Sequence, residues 1–73
     1  MNKPDFNALD AFALYALYNE VTRDESVFED STSSRWENRL VAGVHCANDR
    51  RAAGGLKSDD EWAEQVRSVA ADY

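Results

Sequence analysis

The sequence predicts an all-α protein, a small three-helix bundle with a long acidic loop between its first and second helices. Apolar residues recur at three- and four-residue spacing in three separate segments, and no segment shows the apolar/polar alternation of a strand. Two of the segments open with a serine followed three residues later by a glutamate, the signature of a capping box. A chain of 73 residues makes one helical domain, 1–73, with helices expected at about 7–21, 35–53 and 59–71. A domain of this size buries only roughly 60% of its unfolded surface and is marginal without a staple or a partner.

Pro4 and Asp5 punctuate the start of the first helix, with Asp5 or Asn7 available as its cap. Phe6, Leu9, Phe12, Ala13, Ala16 and Leu17 then fall on one broad face, the expected core side. The other side is also apolar or aromatic, with Ala11, Leu14, Tyr15 and Tyr18, while Asp10, Asn19 and Glu20 are polar. A helix apolar nearly all round is either central in its fold or offers its second face to something else. Tyr15 and Tyr18 are therefore candidate partner-binding residues, unless the protein's own loop covers them.

The stretch from Thr22 to Ser34 is a long connection for so compact a domain. Its carboxylates Asp24, Glu25, Glu29 and Asp30 flank Val27–Phe28. Phe28 is the expected anchor onto the core, and the four carboxylates are candidates for steering the chain onto a basic surface.

Ser34-Arg35-Trp36-Glu37 predicts a capping box at the start of the second helix, whose inward stripe is Trp36, Leu40, Val44 and Ala47 with Val41 beside it. Arg50 and Arg51 fall in its last turn, where positive charge complements the helix dipole, and Gly54-Gly55 ends it. The third helix repeats the grammar. Ser58-Asp59-Asp60-Glu61 is its box, and Trp62, Val66, Val69, Ala70 and Tyr73 keep helical spacing. The expected core is Leu9, Phe12, Ala16, Phe28, Trp36, Leu40, Val44, Trp62, Val66 and Val69.

Charge is unevenly sorted within a net of −6. Both ends of the chain are acidic, and the basic residues Arg35, Arg39, Arg50, Arg51 and Lys57 cluster in the middle. Such sorting speaks to association rather than to fold. Catalysis is disfavoured, because adjacent positions on a helix point His45 and Cys46 in different directions and no other pair supplies a nucleophile and base. One Cys and one His do not complete a tetrahedral metal site, so no cofactor or metal is expected. A lone thiol fits a reducing cytoplasm, and no apolar run approaches a membrane span or a signal peptide. Autonomous binding to duplex DNA is disfavoured too, since a recognition helix beginning Asp59-Asp60-Glu61 would repel phosphates. Protein binding remains, either as a regulator docked on a polymerase or as an acidic mimic of nucleic acid that inhibits another host enzyme.

Taken whole, by its length, its opening MNKPDFNALDAFALYALYNEV and its end DDEWAEQVRSVAADY, the chain resembles the small early transcription regulators of Xanthomonas bacteriophages that bind host RNA polymerase. The resemblance implies a non-enzymatic protein of the host cytoplasm. It implies binding to bacterial RNA polymerase at the N-terminal end of β′, near the RNA exit channel, with inhibition of initiation and antitermination at intrinsic terminators. It carries no residue-by-residue assignment. On the charge pattern, Arg50 and Arg51 are the candidates to lie close to nascent RNA, and contact with the β subunit is compatible with the same site.

Overall fold

The computed structural model describes residues 3–23, 27 and 33–71. A 3-10 turn at Phe6–Ala8 precedes three helices, α1 (Ala11–Val21), α2 (Trp36–Ala52) and α3 (Asp59–Ala71), and there is no strand among the described residues. The acidic loop, with Asp24, Glu25, Phe28, Glu29 and Asp30, lies outside the described residues. Val27 is described, and it packs half-buried against the core.

The central element is α2, in which residues 38–44 are all buried. Its cap differs from the expected box. Arg35 is the N-cap residue and makes no side-chain cap bond. The hydroxyl of Ser33, not Ser34, accepts from the Arg35 N–H at 3.1 Å and from Asn38 Nδ2 at 3.3 Å. Buried Asn38 needs a partner, and a serine two residues before the cap residue offers a local side-chain-to-backbone bond that competes with the box. At the other end, Gly54 has φ 83°. Gly55 N–H donates to Arg50 O at 2.8 Å and Gly54 N–H to Arg51 O at 3.0 Å, the two bonds of a Schellman ending.

At the start of α3 the box forms. Glu61 N–H donates to Ser58 Oγ at 3.2 Å, while the Glu61 carboxylate reaches back to the Lys57 N–H at 2.9 Å. Trp62, Ala63, Val66 and Ala70 face inward, and Trp62 Nε1 donates to Asn48 Oδ1 at 2.8 Å. The closest approach of α2 to α3 is at Gly43, where an added Cβ would lie 2.9 Å from the Val66 carbonyl oxygen.

The inward face of α1 is not the one expected. Leu14 and Val21 are buried and Leu17 and Tyr18 pack against the core, whereas Phe12 is 83% exposed and Ala16 is exposed. The cause is the cap. Asp10 accepts from Ala13 N–H at 2.8 Å, so α1 begins at Ala11 rather than near Asn7. Asp5 caps only the 3-10 turn, and Leu9 between them is extended. An extended residue breaks helical phase, so the spacing from Phe6 and Leu9 to Phe12 does not define one face. Leu14, Leu17, Tyr18 and Val21 do, at i, i+3, i+4 and i+7. Of the remaining expected core, Trp36, Leu40, Val44, Trp62 and Val66 are buried, and Leu9 and Val69 are half-buried.

Two arginines join these pieces. Arg39 is buried and donates through Nε and Nη2 to the Val69 carbonyl, at 3.2 and 3.0 Å. That carbonyl belongs to α3, so the bond ties α2 to α3 across the bundle. Arg67 donates to Phe6 O at 3.0 Å and Leu9 O at 2.5 Å, tying the N-terminal turn to α3.

Two expectations follow for stability. Leu14→Ala should cost about 2–5 kcal/mol, while Phe12→Ala should stay within about 0.5 kcal/mol of the parent; urea unfolding of the two variants checks the direction of α1. Glycine-to-alanine inside a helix normally stabilises by about 1 kcal/mol. Gly43→Ala should instead destabilise by about 1–3 kcal/mol, because the new methyl meets backbone rather than a side chain that can swing away.

Candidate functional site

With α1 oriented by Leu14 and Val21, its opposite side carries Phe12, Tyr15, Ala16 and Asn19 into solvent. Phe12 and Tyr15 are the large apolar or aromatic side chains left exposed among the described residues. Together with Ala11, Trp62, Arg51 and Asp59 they line an open depression of about 240 Å³. Tyr15 is held against the body of the protein by its neighbours, with ring centroids 6.1 Å from Trp62 and 5.7 Å from Tyr18. Aromatic pairs in this range favour tilted geometry, as both of these do. Phe12, one turn closer to the N-terminus, stands free of such contacts at 83% exposure.

Tyr18 has a different role from Tyr15. Its hydroxyl lies 3.0 Å from His45 Nε2, and its ring meets the imidazole edge-on at 5.7 Å. The pair joins α1 to α2, so Tyr18 is largely occupied inside the protein. His45 and its neighbour Cys46 have different partners. Cys46 Sγ lies 3.5 Å from Gln65 Nε2 on α3. Among the described residues no group of three His, Cys, Asp or Glu side chains is placed to hold a metal ion. No helix among them is long and apolar enough to cross a membrane.

The basic patch divides. Arg51 Nη2 contacts Asp59 Oδ1 at 2.6 Å on the rim of the depression, with both side chains well exposed. Arg50 Nη1 donates to Gln65 Oε1 at 2.7 Å and lines a second, polar depression of about 460 Å³ with Leu56, Glu61, Glu64 and Ser68. Arg39 is buried and contributes nothing to the surface. Arg50 and Arg51 are thus neighbours in sequence that attend to different parts of α3. Asp24, Glu25, Glu29 and Asp30 lie outside the described residues.

Phe12 is the candidate contact that sequence reasoning assigned to the core. The signal that identifies it is Asp10, three residues before Ala13, which sets the helix start and therefore the phase.

Removing the Tyr18 hydroxyl should cost about 0.5–1.5 kcal/mol, the usual net value of one such bond. In a double-mutant cycle with His45→Ala, the losses from Tyr18→Phe should be non-additive, as expected for residues in contact. Thermal melts of the four proteins measure that coupling. Compared with known proteins, the chain matches no family model, no curated protein and no solved structure.

Proposed function

We propose that the chain is a phage-encoded, non-enzymatic regulator that binds bacterial RNA polymerase near the RNA exit channel and the N-terminal end of β′. It inhibits initiation and promotes antitermination in the host cytoplasm, with the β subunit and nascent RNA close by. The observation that supports a protein-docking role is the exposed Phe12 and Tyr15 pair on one helix, beside the depression formed with Trp62. Exposed aromatic anchors next to a concave surface are what a protein interface uses for binding energy. The sequence resemblance supplies the identity of the partner.

A domain of this size can act on a channel by steric occupancy, without chemistry. Each guanidinium of Arg50 and Arg51 carries five N–H donors. One bond to α3 therefore leaves donors for phosphates passing nearby. The alternative, an acidic mimic of nucleic acid, is favoured by the exposed carboxylates Asp59, Asp60, Glu61 and Glu64 along the first half of α3.

The two mechanisms diverge in elongation. Added to elongation complexes that have already left the promoter, the chain should raise read-through at an intrinsic terminator, because an occupied exit path denies the hairpin room to fold. A mimic that competes for the template-binding surface should inhibit free polymerase and leave committed complexes unchanged. Termination efficiency in a purified system with the host enzyme measures the difference. Unchanged termination at saturating protein sinks the antitermination proposal.

A further inference from the structure

Residues 3–9 are a unit of their own. Their backbone bonds close on themselves, Ala8 N–H donating to Asp5 O at 3.0 Å and Leu9 N–H to Phe6 O at 3.2 Å. Asp5 Oδ1 accepts from Asn7 N–H at 3.1 Å. The bonds of α1 begin at the next residue, Asp10, whose carboxylate takes Ala13 N–H and whose carbonyl takes Leu14 N–H. Leu9, in extended conformation, joins the two systems. Rotation between Leu9 and Asp10 would therefore move the preceding turn without breaking any of these bonds, as a hinge between elements does.

The hold on this segment is correspondingly narrow. Of residues 3–9 only Phe6 is buried, and its ring lies 6.2 Å from that of Trp36. Arg67 of α3 spans the turn, donating through Nε to Phe6 O and through Nη2 to Leu9 O. Helix α1 has its own anchors in Leu14, Val21 and the Tyr18–His45 pair. Those anchors do not pass through the turn.

We propose that residues 3–8 form a strap that opens on a folded three-helix body, hinged at Leu9 and Asp10 and latched by Arg67. Opening bares the ring of Trp36 and frees the Arg67 donors, both of which meet Phe6 in the closed state. The closed strap thus keeps from solvent an aromatic side chain of the kind that anchors interfaces. Trp36 opens α2 and Arg51 stands in its last turn, fifteen residues or about 22 Å along the helix. The strap is therefore a device separate from the Phe12 depression, whichever protein that face meets.

The test follows the isotope-labelled full chain by NMR as it is warmed. The Phe6 and Trp36 ring resonances should reach solvent-exposed values at lower temperature than the methyls of Leu40, Val44 and Val66 leave theirs. One cooperative unit would show a single coincident transition instead. Arg67→Gln should raise the exchange rate of the Leu9 amide about tenfold, the weight of a charge-assisted hydrogen bond. Phe6→Ala should keep the helical circular dichroism and the Leu14, Val21, Leu40 and Val66 methyl shifts, while the Trp36 ring moves to exposed values. With the strap already released, adding Arg67→Gln to Phe6→Ala should lower the melting temperature no further, although it lowers that of the parent. Coincident ring and methyl transitions, or a Leu9 amide that keeps its parental exchange rate in Arg67→Gln, would overturn the proposal. So would a Phe6→Ala chain that loses its helices, or equal Arg67→Gln losses in both backgrounds.

Discussion

The approach of α3 to the backbone of α2 at Gly43 sets the geometry from which the other contacts follow. Val66 O stands where a side chain at 43 would begin, so the two helices meet backbone to backbone there. Four residues earlier on α2, Arg39 reaches the Val69 carbonyl, and five residues later Asn48 accepts from the Trp62 indole N–H. The pairs 39 with 69, 43 with 66 and 48 with 62 run in opposite directions along the chain. The helices are therefore an antiparallel hairpin, closed by the Schellman turn at Gly54. Removing Gly43's freedom to be close, or Arg39's bond to the Val69 carbonyl, acts on the same contact. A buried guanidinium deprived of that carbonyl would keep its desolvation penalty and lose part of its compensation.

The sorting of charge along the sequence acquires an internal explanation from this hairpin. The C-terminal turn of α2 carries Arg50 and Arg51, and α3 begins with three carboxylates. Antiparallel packing brings the two ends together, and Arg51 meets Asp59 across the turn. Each charge also complements the dipole of its own helix end. The ion pair is exposed, so its own contribution is about 0–1 kcal/mol. Its larger effect is on the surface, where it neutralises one arginine of an apparent basic patch. Burial of Arg39 removes another. Arg35, Arg50 and Lys57 remain at the surface.

How much was legible in the sequence depended on whether a residue's role was local. The cap of α3 was readable because Ser58 and Glu61 act on adjacent backbone, and the stripes of α2 and α3 were readable because long helices keep their phase. The face of α1 was not, since one extended residue at Leu9 separates two short helical pieces and resets the count. Gly43, Arg39 and Arg67 were invisible for a different reason: their partners lie far away in sequence, and no spacing rule connects Arg67 to Phe6. The surface pair Tyr15 and Tyr18 was legible as an aromatic feature but not as two roles. The hydroxyl of Tyr18 meets His45 only once α1 has its true rotation.

The position of the aromatic strip matters for a domain this small. Of the three helices, α1 is joined to the hairpin by Leu14 and Val21, by the Tyr18–His45 pair, and through the preceding turn by Arg67. Tyr15 belongs to α1 and Trp62 to α3, and the depression between them is lined from both helices. A segment lodged there would contact α1 and the hairpin at once, so its binding energy would also oppose their separation. A ligand that binds only the folded state adds about 2.7 kcal/mol at a hundred times its dissociation constant. That equals the lower part of the range for truncating a core leucine. For a chain with so little core, occupation of the Phe12 face would therefore couple recognition to folding. The same exposed phenylalanine that contributes little to the free domain would help to hold the bound one together.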